Sequence, residues 1–170
     1  AAGGMARYGI PSYRVPHAVI DSEDAEVGKL GVEFRYNTRV EDIAELMQQG
    51  YETVFIAIGA QSGDRLGIPG DNLPNVVDSP TFLRAVTQGL VGTEASGIMV
   101  GKHVAVIGGG NVATDNSRST RRLGGEQVDL VYRRSREEMP ARPEEVQGCL
   151  EEGVNLRFLS MPKKIELNAN

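Results

Sequence analysis

The chain has 170 residues, room for one or two domains, and its 40% hydrophobic and 24% charged residues are an ordinary globular balance. A formal net charge of −5 argues against general nucleic-acid binding, and no apolar run approaches the roughly 20 residues needed to cross a membrane. The single cysteine, Cys149, excludes an internal disulfide and an iron–sulfur cluster held by this segment alone, since such clusters usually take four thiolates; two histidines far apart in sequence make a metal site an unexpected feature.

In chain order, Pro11 and Pro16 bracket Ser12, Tyr13, Arg14 and Val15 and predict an extended connection. Residues 17–30 carry weak helical spacing through Ile20, Val27 and Leu30, with Gly31 as a stop. Residues 32–38 alternate as a half-buried strand does. Ile43, Leu46 and Met47 mark one face of a short helix that Gly50 ends. Residues 54–58 form a continuous apolar run, as in a strand covered on both faces, and Gly59 follows. Ser79 and Pro80 read as an N-cap and a first-turn proline, predicting a helix to about Val86. Residues 87–101 are rich in glycine and small side chains without a period, which places a domain boundary there. Residues 164–170 read as a strand.

The most informative run is Val104-Ala105-Val106-Ile107-Gly108-Gly109-Gly110-Asn111-Val112-Ala113. It reads as strand, glycine turn and helix start, the dinucleotide pattern G-x-G-x-x-G/A with alanine last. Gly108 makes the tight turn, Gly110 lets a pyrophosphate approach the backbone, and Ala113 lets the helix pack on the strand. The helix N-terminus then offers free N–H groups to phosphate. Three successive glycines otherwise cost backbone entropy without an evident packing return. A helix over residues 112–123, closed by Gly124 and Gly125, leads to a second strand at residues 128–132 that ends in Arg133 and Arg134. An NAD site usually has an acidic residue at this strand end, whereas a 2′-phosphate needs cationic donors, so the pair points to NADP. A charged loop over residues 135–142, a helix over residues 143–153 and a strand over residues 154–159 complete the pattern. The segment from Lys102 to Leu159 is therefore expected to form a parallel βαβ unit.

Four stretches carry a resemblance to a known group: Gly3-Gly4-Met5 through Tyr8-Gly9-Ile10-Pro11-Ser12-Tyr13-Arg14-Val15-Pro16; Val54-Phe55-Ile56-Ala57-Ile58-Gly59-Ala60-Gln61; Val106-Ile107-Gly108-Gly109-Gly110-Asn111-Val112-Ala113; and Val131-Tyr132-Arg133-Arg134-Ser135-Arg136-Glu137-Glu138-Met139-Pro140-Ala141. Together they resemble the flavin-dependent NADPH oxidoreductases typified by the small subunit of glutamate synthase. The flavin half of dihydropyrimidine dehydrogenase and the bifurcating NADPH–ferredoxin oxidoreductases share the layout. The resemblance implies an α/β fold, with a Rossmann-like NADP-binding domain on a parallel sheet preceded by part of an FAD-binding domain. It places residues 1–97 in the partial FAD domain and residues 98–170 in a truncated NADP domain. The FAD domain's own glycine pattern is expected before Ala1 and its closing segment after Asn170, the chain being a piece of a longer protein.

The resemblance implies a cytoplasmic enzyme that moves a hydride between NADPH and FAD and passes electrons to a partner subunit or domain, or to iron–sulfur clusters outside this segment. It implies no catalytic side chain and no membrane or nucleic-acid partner. Gly108, Gly109, Gly110, Asn111, Val112, Arg133, Arg134 and Arg136 are the expected NADP residues; Gly4, Met5, Arg14, Val40 and Gly59 are the expected flavin-side residues. Arg14 reads equally as a surface arginine, Gly59 as a strand-ending turn, and Arg136 as one charge of a solvated loop. Ala57-Ile58-Gly59 stands where Ala-Thr-Gly is usual, so a threonine hydroxyl contact is absent. Glu137 and Glu138 read as solvent-facing. The alternative function is a nucleotide-binding module without redox turnover of its own.

Overall fold

The computed structural model describes residues 2–167. The elements among them are α1 (Gly4–Tyr8), α2 (His17–Lys29), α3 (Ile43–Gln48), α4 (Ser79–Thr87), β1 (His103–Ile107), α5 (Asn111–Arg122), β2 (Gln127–Val131), α6 (Pro143–Glu151) and β3 (Asn155–Arg157). The strands form one sheet, ordered β1-β2-β3 and parallel throughout. Parallel neighbours need a crossover, and α5 and α6 supply the two that are required. The register runs from His103 opposite Gln127 to Ile107 opposite Val131, then from Asp129 opposite Asn155 to Val131 opposite Arg157. The expected parallel pairing is thus present, with Gly108 at the carboxyl end of β1.

Val128 and Leu130 are fully buried, because alternate residues of β2 point at the helices. Around them pack Ala113 of α5, Val146 and Cys149 of α6, Val154, and Tyr132, Met139 and Ala141 from the loop after β2. Each such aliphatic side chain contributes about 1.5–3 kcal/mol on burial. Burial pushes the Cys149 thiol up to about 12, so it behaves as a small apolar side chain. β1 leaves His103, Ala105 and Ile107 exposed, so the described residues cover only one face of the sheet.

The stops read from the sequence are in place: Gly31, Gly50 and Gly124 follow α2, α3 and α5 with positive φ. Other expectations need correction. α4 is capped by Asp78, whose Oδ1 accepts the Thr81 N–H at 3.0 Å; Ser79 is the first helical residue and its hydroxyl accepts instead from Asn116. Residues 11–16 are a turn rather than extended, because the Arg14 and Val15 N–H groups both close on the Pro11 carbonyl. α1 was not anticipated; it is a single turn entered through Gly3 and Gly4 at φ 93° and 46°.

Residues 32–38 and 54–58 are not strands of any sheet among the described residues. Phe34 and Tyr36 stack at 5.8 Å between ring centroids, as alternate residues of an extended stretch do, and Phe55, Ile56 and Ile58 are exposed. A strand is defined by a neighbour that takes its N–H and C=O groups, and no described segment offers one here. Residues 164–167 also form no strand; the Ile165 N–H bonds the Pro69 carbonyl instead, and residues 168–170 lie outside the described residues.

Candidate nucleotide-binding site

The site is built where β1 ends. Gly108 turns at φ 147°, a conformation that side chains disfavour, while its N–H still bonds the Val131 carbonyl at 3.0 Å. Gly110 caps α5 in extended geometry, and the first N–H groups to bond back to it are those of Ala113 and Thr114. The Asn111 and Val112 N–H groups therefore face outward at a helix N-terminus, the arrangement that holds phosphate.

The three glycines differ in what a side chain would meet. A Cβ at Gly108 would stand 3.2 Å from that of Ala113, at Gly109 it would run into the Tyr132 ring, and at Gly110 it would meet nothing within 4 Å. The triple glycine thus has a packing return after all: Gly109 is the floor on which Tyr132 lies. We expect Gly109→Ala to cost about 1–3 kcal/mol through overpacking. Gly110→Val should cost no more than the poorer cap it makes for α5 and should abolish nucleotide binding, because a Cβ there meets no protein atom within 4 Å. Thermal melts and nucleotide titrations of the two variants check this; equal stability loss in both would refute it.

The loop after β2 folds back onto the cradle. The Tyr132 hydroxyl donates to the Glu138 carbonyl at 2.8 Å, Ala141 N–H to the Gly109 carbonyl at 3.0 Å, and Arg142 N–H to Asn111 Oδ1 at 2.9 Å. Glu138 also accepts the Ser135 N–H, so it braces the loop; like Glu137 it is exposed. Arg133, Arg134 and Arg136 belong to this loop, all exposed and without a carboxylate partner among the described residues. Arg133 shares a cleft of about 220 Å³ with Leu66, Ile68, Ile107, Gly108 and Tyr132. Its mostly apolar wall, one guanidinium and one glycine turn suit an adenosine with a phosphate on its ribose.

The flavin-side set is not assembled in this way. Gly4 and Met5 lie on α1, Val40 is exposed in the connection before α3, and Gly59 turns at φ 66° after the exposed run. They do not line the Arg133 cleft and share no hydrogen bond with one another among the described residues. Arg14 is engaged within the chain. Its Nη1 meets Asp115 Oδ2 at 2.7 Å and its Nη2 meets Glu145 Oε1 at 2.9 Å. Arg118 reaches Glu145 and Glu152, Arg122 reaches Glu152, and both guanidinium groups lie over the Tyr13 ring.

Burial pushes the Asp115 carboxyl up, with Arg14 opposing, and pushes the Tyr13 hydroxyl up to about 12. Hydrogen bonds from Arg122 and Arg118 hold Glu152 below the usual carboxylate range. This network beneath the cradle was missed in the sequence. Its signal was α5 itself, whose Thr114, Asp115, Asn116, Ser117, Ser119 and Thr120 are all buried. A helix that polar is buried only if its groups find partners.

Sheet, glycine turn and cationic strand end define a parallel α/β nucleotide-binding unit. The chain belongs to the pyridine nucleotide-disulphide oxidoreductase family, which matches residues 47–170. It is 41% identical over 165 residues to the NADP(+)-dependent formate dehydrogenase subunit beta of Moorella thermoacetica, covering 95% of this chain and 23% of that protein. It is 34% identical over 175 residues to the glutamate synthase [NADPH] small chain of Escherichia coli K12, covering 99% of this chain and 37% of that protein. The resemblance read from the four stretches is therefore borne out, and the chain spans well under half the length of these relatives. Among solved structures, Mycobacterium tuberculosis FprA in complex with NADPH superposes with a TM-score of 0.75 at 17% identity, over 97% of this chain and 52% of that one. That likeness supports the fold. No helix among the described residues is long and apolar enough to cross a membrane, and no group of His, Cys, Asp or Glu there is arranged to hold a metal.

Proposed function

We propose that this chain is the NADP-binding part of a cytoplasmic oxidoreductase that transfers a hydride between NADPH and FAD and hands electrons to a partner subunit or an iron–sulfur cluster. The observation that carries it is the free helix N-terminus at Asn111 and Val112 after the Gly108 turn, whose cleft Arg133 lines; Arg134 and Arg136 follow in the same loop, and none of the three forms an ion pair among the described residues. NADPH and the flavin supply the redox chemistry when bound; the chain binds and orients the nucleotide. Gly108, Gly110, Asn111 and Val112 would hold the pyrophosphate, Arg133 and Arg134 the 2′-phosphate, and Arg136 a further oxygen of it. Gly109 would serve the site through Tyr132.

Two relatives bear NADP or NADPH in their names, and both are named as a subunit or chain of a larger enzyme, which supports a partner. The FAD reading rests on the resemblance at Gly4, Met5, Arg14, Val40 and Gly59. The division near residue 97 is supported by the main core, whose buried members all fall between Ala113 and Val154. The second reading, a nucleotide-binding module without turnover, fits the 170-residue chain taken alone, because Gly108 begins its one G-x-G-x-x-G/A pattern. The test is the full-length protein under anaerobic conditions. It should purify with FAD, and NADPH should bleach the flavin absorbance. Purification without flavin, or flavin that NADPH leaves oxidised, would overturn the proposal.

A further inference from the structure

We propose that Arg142 is a pyrophosphate ligand of the nucleotide site, separate in role from Arg133 and Arg134; this rests on the nucleotide-binding reading above. Arg142 lies outside the glycine pattern and outside the strand-end pair. The structure nevertheless ties it to the cradle by backbone. Its N–H donates to Asn111 Oδ1 at 2.9 Å, and the N–H of Ala141 before it donates to the Gly109 carbonyl at 3.0 Å. Two consecutive residues are thus bonded to two residues of the phosphate turn. The side chain of Arg142 therefore starts beside the first turn of α5, where the Asn111 and Val112 N–H groups face outward.

Its position is also held. Pro143 follows, and a residue before proline is driven to extended geometry; Arg142 has φ −62° and ψ 142°. Its charge has no carboxylate partner among the described residues. Arg14, Arg118, Arg122 and Arg157 each meet a carboxylate, whereas Arg142 is exposed and makes no ion pair among the described residues. Of the acids in the first turn of α6, Glu145 is committed to Arg14 and Arg118, and Glu144 is exposed without a bond to Arg142. A cation whose backbone is bonded to the phosphate turn, within a side chain's reach of free N–H groups and without an ion pair among the described residues, is available to an anion there. Arg133 and Arg134 start instead just past the end of β2, where the ribose of a bound dinucleotide would lie. The two sets therefore read different phosphates.

The experiment titrates full-length wild type, Arg142→Ala, Arg142→Gln and Arg142→Lys with NADPH, NADH and 2′-AMP, which carries the ribose phosphate and no pyrophosphate. Arg142→Ala and Arg142→Gln should weaken NADPH and NADH alike, by about 10-fold or more, and leave 2′-AMP unchanged. Lysine should retain part of the affinity. All three variants keep the backbone N–H, so the tether to Asn111 survives; if the alanine variant melts early, the glutamine and lysine variants decide. Unchanged dinucleotide affinity with wild type binding normally overturns the Arg142 assignment alone. Loss confined to NADPH and 2′-AMP also overturns it, by moving Arg142 to the 2′-phosphate. Failure of wild type to bind either dinucleotide overturns the underlying reading and this one with it.

Discussion

Replacing Arg133 or Arg134 by alanine in the full-length protein should weaken NADPH binding about 10- to 100-fold, since a hydrogen bond to a charged group contributes roughly 1.5–3 kcal/mol and 1.4 kcal/mol is a decade. NADH, without the 2′-phosphate, should lose little. The difference follows from position. Both arginines stand one and two residues beyond Tyr132, at the end of a strand whose neighbour ends in the glycine turn. Both are exposed, and neither pairs with a carboxylate among the described residues. The exposure has a second consequence: the loss should shrink as salt is raised, because screening weakens surface charge pairs. Titrations of both variants with both nucleotides at low and high salt measure all of this. An equal fall for NADPH and NADH, or none for either, would show that these arginines do not read the 2′-phosphate.

The half of the fold around the nucleotide site was legible because its signals are local. Residues 104–107 are a short apolar run ended by a glycine turn, residues 128–132 are apolar but for Asp129 and end in arginines, and the intervening helix is bracketed by Gly110 and Gly124. The other half misled for one physical reason. The apolar run at residues 54–58 records a preference for burial in a sheet, but a sheet also needs a partner strand, and none is among the described residues. The helix α5 was found but its setting was not. Its side chains are polar enough to predict a solvated face, yet six of them are buried between α4, α6 and the sheet. Thr114 and Ser117 donate within α5, but Asp115 and Asn116 take partners from distant sequence: Arg14 lies 101 residues from Asp115, and Ser79 lies 37 from Asn116. No local pattern encodes such pairs. The motif that matches Arg14 to the flavin side carries no trace of these pairs either, and its guanidinium meets Asp115 and Glu145.

That commitment makes Arg14→Ala the most damaging substitution we expect outside the apolar core. Asp115 has a side chain only 4% exposed, and Arg14 is the cation that meets it directly. Removing one partner of a buried pair leaves an uncompensated charge and costs about 3–5 kcal/mol, and the partial exposure of Arg14 puts this case near the lower end. The pH dependence identifies the cause. Burial already raises the Asp115 carboxyl above its ordinary value, and Arg14 pulls it down. Without Arg14 it should rise further. A carboxyl whose folded value lies above its unfolded one binds its proton more tightly when folded, so stability is gained as pH falls. The deficit of Arg14→Ala relative to wild type should therefore be greatest near neutrality and narrow on acidification, as Asp115 protonates. Adding Asp115→Asn should recover part of the loss at neutral pH and flatten the pH dependence, because an amide needs no cation. Urea denaturation of wild type, the single variant and the double variant across that range gives the three curves. A deficit that stays constant with pH would mean that Arg14 acts by packing alone, and that the charge of Asp115 does not shape the helix that carries the phosphate turn.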